Sequence, residues 1–197
     1  MLCAREQPGV DVHALEPVPV THDVLARNVA DCPRVYTHRL ALRGPAAAER
    51  GAATLAYYPA MPGESTFHPD ENAAQQELLA RPPHRAELIQ CDVATLSGFL
   101  AQQGIRRVGL LKVDVEGDEA EVLAGIADAD WPRIDQVVVE VRDVDGRKAA
   151  IAALLRARGF TVRERAERSE VVAGYATVIP STLRLYLLYA VRPTRAG

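Results

Sequence analysis

The sequence predicts an α/β fold built on a mostly parallel sheet. Three observations carry that expectation. The C-terminal two-thirds of the chain alternates strand-like with helix-like segments, the rhythm of strands joined by crossover helices. Val108 to Val115 is apolar apart from Lys112 and Asp114, as a central parallel strand should be. Gln136 to Val141 is dominated by β-branched valines, which suit the pleated surface of a sheet.

In chain order, Val10 to Leu15 reads as a short buried strand, ended by the turn Glu16-Pro17-Val18-Pro19. A short helix is expected from about Thr21 to Val29, with Thr21 as its cap. Val35 to Leu42 is the next expected strand. Gly51 to Gln90 breaks the rhythm with a tyrosine pair, the turn Met61-Pro62-Gly63 and a polar helix over about Glu71 to Ala80, which Arg81-Pro82-Pro83 stops. This stretch reads as an insertion over the sheet, lid-like within one domain spanning 1–197.

The alternation then resumes. Leu96, Phe99 and Leu100 give one helical face, closed by Gly104. Asp118 with Glu121 has the spacing of a capping box, ahead of a helix lined by Val122, Leu123 and Ile126. Ile151, Leu154 and Leu155 make another helix face that ends at Gly159. Phe160 to Arg165 and Leu183 to Val191 are expected to close the sheet as an antiparallel pair.

Composition narrows the function. A formal net charge of -3 with arginines spread along the chain gives no stripe for nucleic acid. Three cysteines at wide spacings, with no CxxC pair, fit a reducing compartment and neither a disulfide framework nor a zinc site. The first residues carry charges and no long apolar run, so neither a signal peptide nor a membrane span is expected, and the expected compartment is the cytoplasm.

Candidate chemistry gathers at strand ends, where ligands of open α/β sheets bind. Glu16 follows an apolar strand, the position from which an acid accepts hydrogen bonds from ribose hydroxyls. Taken alone it reads better as a solvated loop acid, and an acid there serves any nucleoside-type cofactor. Asp114 and Glu116 lie at the end of Val108 to Val115, and Gly117 permits a sharp turn into the next helix. They could instead be turn and capping groups. Lys112 within that apolar run needs a carboxylate partner or a route to water. Glu140 points at the same rim if the strands are in register, or else pairs with Arg142 or Arg147. His68 is a reserve candidate for proton transfer, or an exposed loop histidine beside Pro69. No HxxxH or HxE pattern implies a catalytic metal, although Asp114 and Glu116 could hold magnesium weakly.

Five blocks, in order, then resemble one family. They are ALEPVP (Ala14 to Pro19), YYPAMPGESTFHP (Tyr57 to Pro69), LLKVDVEGDEAEVLAGI, WPRIDQVVVEVRDVDGR and the terminal LYLLYAVRP. This resembles the FkbM family of S-adenosylmethionine-dependent methyltransferases, over roughly Val12 to Pro193. The resemblance implies a Rossmann-like class I methyltransferase sheet with helices on both faces. It implies S-adenosyl-L-methionine as cofactor, with Glu16 on its ribose and residues near Leu42 flanking the adenine. Asp114, Glu116 and Glu140 would face the transferred methyl group and a small-molecule hydroxyl acceptor, a secondary metabolite. The chain departs from the family's usual pattern at Glu64, where Asn is common, and at Arg142, where His is common; both bear on the acceptor.

A larger departure precedes Glu16. The family's first strand, glycine-rich turn and helix need on the order of 30 residues. Only fifteen residues precede Glu16, with Gly9 their sole glycine, and Leu2 to Gln7 resembles the tail of that helix. The expectation is therefore a sheet lacking the first strand and glycine-rich turn, in a truncated gene model, a fragment or an inactive remnant. The strands of Glu16 and Lys112 would then lack their shared neighbour and invite self-association through unpaired edges, unless they pair directly in a smaller sheet. Two rival functions follow: a nicotinamide-dependent oxidoreductase, disfavoured by the absence of GxGxxG, and a non-catalytic binding module of the same fold.

Overall fold

The computed structural model describes residues 9–78, 85–166 and 185–193, with the side chains of 75–78 left aside. The expected helix tail at Leu2 to Gln7, the helix stop at Arg81-Pro82-Pro83 and the strand start at Leu183 lie outside the described residues.

The described residues fold as a mixed α/β structure with three sheets. Strands β1 (Val12–Leu15) and β2 (Val35–His38) pair in parallel across helix α1 (Pro19–Asn28). Strand β3 (Ala41–Leu42) pairs in parallel with β5 (Glu87–Ala94), which pairs antiparallel with β4 (Ala52–Tyr57). Helices α2 (Pro45–Ala48) and α3 (Pro69–Leu78) lie between these strands in sequence, and α4 (Leu96–Gln102) follows β5. The largest sheet has the order β6-β7-β9-β8. It comprises β6 (Leu111–Val113), β7 (Gln136–Arg142), β8 (Thr161–Ala166) and β9 (Leu185–Val191), with helices α5 (Glu119–Ala124) and α6 (Arg147–Ala157).

Among the described residues three strand pairs are parallel and three antiparallel, so the architecture there is mixed rather than mostly parallel. The expected closing pair is present as β8 antiparallel to β9. Among the described residues β1 has β2 as its one strand neighbour and β6 has β7. Among the described residues the strands of Glu16 and Lys112 do not pair directly.

Several local expectations are corrected. Helix α1 starts at Pro19, whose fixed φ suits the first helical position, so Thr21 falls inside the helix and caps nothing. Glu16 organises this start instead, as its Oε1 accepts the Val18 N–H at 2.8 Å. The expected strand Val35 to Leu42 is two strands. The chain leaves one sheet after His38 and joins another at Ala41, while Leu40 between them packs on the main core. The stretch read as an insertion begins and ends in the paired strands β4 and β5, which leaves that reading as an expectation. The β6 strand is only Leu111–Val113, preceded by an isolated parallel bridge from Val108 to Ile134. Lys112 points outward from it, more than half exposed, and pairs with Asp114 at 2.6 Å.

The main core lies between the four-stranded sheet and helices α4, α5 and α6. Val137, Val139 and Val141 alternate inward along β7 and meet Leu123, Ile151, Leu155 and Leu188. Each such aliphatic side chain fully withdrawn from water contributes about 1.5–3 kcal/mol. Thr95 caps α4 through its side chain, and Gly104 and Gly159 follow α4 and α6 with φ of +65° and +86°. This core fixes the register of Val113 beside Val139, and thereby the rim beyond them.

Candidate active site

The rim forms where β6 and β7 end side by side. Val113 is level with Val139, so the residues that follow, Asp114 and Glu140, emerge at one height. Asp114, Glu116 and Glu140 line a single small open pocket with Gly117, Glu119, Arg142, Arg147 and Leu185. Three of the sequence-predicted acids are thus brought together.

Glu116 is strongly perturbed. Its side chain is 22 % exposed, and Arg142 pairs with its Oε2 at 2.8 Å. Burial pushes its carboxyl up to about 7, opposed by the Arg142 guanidinium and reinforced by the negative charges of Asp114, Glu140 and Glu119. Its backbone has φ +52°, a left-handed conformation that a residue with a Cβ rarely adopts. Gly117 follows at φ +113°, and a Cβ there would meet His68 Cδ2 at 3.3 Å and Arg147 Nη1 at 3.4 Å. Only glycine satisfies that turn. Its N–H donates to Glu119 Oε1 at 2.8 Å. Glu119 is itself buried, which raises its carboxyl above the ordinary range.

Asp118 does not form the expected capping box. It occupies the N-cap position of α5, but its side chain makes no cap hydrogen bond. Both its oxygens are taken by tertiary partners. Arg43 donates to Oδ2 from Nε at 2.6 Å and to Oδ1 from Nη2 at 2.9 Å, and His68 Nε2 lies 2.9 Å from Oδ1. Asp118 is 1 % exposed, so these contacts are what compensates its desolvation. His68 is neither an exposed loop residue nor a member of the pocket lining; its side chain bridges the rim and the segment after β4.

That segment reaches the rim at two further points. The Thr66 hydroxyl donates to the Glu116 carbonyl at 2.7 Å. Both Glu71 oxygens accept from Arg147 Nη2, at 2.7 and 2.8 Å. Arg142 and Arg147, weighed in the sequence as partners of Glu140, contact Glu116 and Glu71 respectively. Arg43, Thr66, Glu71 and Asp118 were missed as site-building residues. Their roles rest on partners distant in sequence, which no local pattern announces.

Glu16 stands apart from this pocket, at the end of β1 in the two-stranded sheet. Burial raises its carboxyl above the ordinary range, opposed by the Val18 N–H and by nearby His22. Next to it in the same sheet, His13 Nδ1 lies 3.0 Å from His38 Nε2, and both rings pack edge-on against Phe99. Burial, with His13 and His22, lowers the His38 imidazole. Leu42 packs partly buried against the main core and does not line the rim pocket. Among the described residues no group of three His, Cys, Asp or Glu side chains is arranged to hold a metal. Nor is any described helix long and apolar enough to cross a membrane.

Comparison with known proteins gives these elements a context. The family model described as the methyltransferase FkbM domain matches residues 2–162. The 31-O-demethyl-FK506 methyltransferase FkbM of Streptomyces tacrolimicus is 43% identical over 190 residues, covering 86% of this chain and 70% of that protein. Methyltransferase 1 of Beauveria bassiana is 35% identical over 197 residues, 95% of this chain and 74% of its own length. Methyltransferase sdnD of Sordaria araneosa is 35% identical over 181 residues, 83% and 70% respectively. With a family model across most of its length and relatives of this similarity, the chain belongs to the FkbM methyltransferase family.

Proposed function

We propose that this chain transfers a methyl group from S-adenosylmethionine to a hydroxyl of a small molecule, a secondary metabolite, with Glu116 as the base. The observation that carries this reading is the half-buried Glu116 carboxyl at the joint rim of β6 and β7, with its proton affinity near neutrality. A base with that affinity is best matched to a working pH near 7. The hydroxyl acceptor is supported by the first relative's printed name, which specifies an O-demethylated substrate.

The residues present fit the cofactor at one testable point. Glu16 is a desolvated carboxylate at the C-terminal end of a parallel strand, and such a group favours a ligand that brings hydrogen-bond donors, as ribose hydroxyls do. Leu42 would offer an apolar flank for the adenine. When bound, the cofactor supplies a methyl on a positively charged sulfur, whose bond to carbon breaks as charge is neutralised.

The chain's own residues do the rest. Glu116 takes the proton of the acceptor hydroxyl as its oxygen bonds to the methyl carbon, so an ether and a neutral thioether result. Burial keeps that proton affinity high, the negative charges of Asp114 and Glu140 add to it, and Arg142 orients the carboxyl through Oε2. Holding the acceptor in line replaces much of the entropic cost of the encounter.

A second reading, a module that binds without transferring, is favoured by the position of Glu16 in a sheet with no hydrogen bonds to β6 among the described residues. Calorimetric titration with S-adenosylmethionine, followed by methyl transfer to hydroxylated metabolites, separates the two. Binding with transfer supports the enzyme, and binding without transfer supports the module. No binding by a folded chain removes both.

A further inference from the structure

We propose that Thr66 is a positioning residue for Glu116, holding the peptide between Glu116 and Gly117 in the one orientation that turns the Glu116 carboxyl into the pocket. This inference rests on the reading of Glu116 as the base.

That peptide is gripped at both ends. Its carbonyl accepts from the Thr66 hydroxyl at 2.7 Å, and its N–H donates to Glu119 Oε1 at 2.8 Å. The direction of the Thr66 bond is decided by a second contact. The hydroxyl also accepts the His68 N–H at 2.9 Å, so its single proton is directed at Glu116. Thr66 is 2 % exposed, which keeps water from replacing it.

Thr66 is also rigidly mounted. Its N–H and carbonyl exchange hydrogen bonds with Ala56 of β4, both at 3.0 Å. His68, two residues on, is tied to the buried Asp118–Arg43 pair. The hydroxyl is therefore presented from a fixed frame to a carbonyl whose residue holds φ +52°.

The left-handed conformation of a non-glycine residue is unfavourable and persists only where its surroundings impose it. Without the Thr66 bond the 116–117 peptide keeps only its Gly117 N–H contact with Glu119, and the turn loosens because Gly117 accepts almost any φ. Glu116 then relaxes toward ordinary backbone angles and its carboxyl leaves the half-buried rim. The groups facing that carboxyl are Arg142, Asp114, Glu140 and Glu119. Burial is the largest cause of its raised proton affinity, so leaving the rim lowers the midpoint despite the loss of Arg142.

The test is the titration of Glu116 in the full chain, followed by carbon-13 NMR of labelled glutamate carboxyls, with E116Q used to assign the resonance. T66V, which is close in shape, is expected to lower the midpoint by about one pH unit, a tenfold change in proton affinity, while T66S retains the wild-type midpoint. T66A replaces T66V if the valine does not fold. A midpoint unchanged in the hydroxyl-free variant overturns the proposal, as does an equal shift in T66S. The readout needs no catalysis. A midpoint that moves as expected in a chain with no methyl transfer supports the positioning role and rejects the base assignment instead.

Discussion

Arg43 and Asp118, 75 residues apart in sequence, meet through two hydrogen bonds in a contact that leaves Asp118 1 % exposed. Burial of this kind makes the pair costly to break, because the partner left behind stays charged and desolvated. Asp118→Asn keeps the shape and removes the charge facing Arg43, whose side chain is 16 % exposed. The expected loss is about 3–5 kcal/mol of folding stability, measured from urea unfolding midpoints. A loss under about 1 kcal/mol would mean that water already screens the pair.

Glu116 sets a pH dependence whose sign can be worked out. Its carboxyl is raised to about 7 in the folded chain from an ordinary 4.5, so the folded state holds the proton to higher pH than the unfolded one. Stability therefore declines as pH rises from the ordinary carboxylate range to about 7, and this contribution is flat above. Over the upper part of that window kcat/KM should rise as the base loses its proton. Glu116→Gln is expected to remove the stability slope and to lower kcat by roughly 10²–10⁴-fold. A rate profile unchanged in the glutamine variant would take the base role from this residue.

What was legible in the sequence follows from range. Asp114, Glu116 and Glu140 could be read because consecutive parallel strands end on one rim, and the Val113–Val139 register delivers them there. Asp118 misled because a capping box is a local pattern, whereas its partners Arg43 and His68 come from 75 and 50 residues away. Strand β5 escaped notice since its alternation is blurred, with Leu88 76% exposed on the outer face. Thr66 carries no sequence signal at all, as its role depends on a carbonyl 50 residues distant.

Glu16 offers a test of the cofactor end that is separate from transfer. Glu16→Gln retains a hydrogen-bonding group for the Val18 N–H but loses the charge that strengthens bonds from ribose hydroxyls. S-adenosylmethionine affinity measured by calorimetry should fall about tenfold or more, with the far-ultraviolet spectrum unchanged. Equal affinity in the two proteins would place the ribose away from β1.

Gly44 and Gly125 separate a soft close approach from a hard one. Both have ordinary φ, -68° and -74°, so backbone strain does not distinguish them. A Cβ on either would meet an atom at 2.6 Å. At Gly44 that atom is Glu121 Oε2, the free-swinging end of a side chain, whereas at Gly125 it is the Arg43 carbonyl, with Leu96 N at 3.2 Å behind it. Gly44→Ala should therefore change stability by less than about 1 kcal/mol, helped by the reduced freedom of the unfolded chain. Gly125→Ala should cost about 1–3 kcal/mol, because main chain must move to admit the methyl. The displaced main chain belongs to Arg43, so the same variant should also weaken the hold on Asp118 and, through His68, on the segment that carries Thr66. Urea unfolding of both variants checks the contrast. Equal losses at the two glycines would show that the 40s segment yields as readily as a carboxylate and does not fix Arg43.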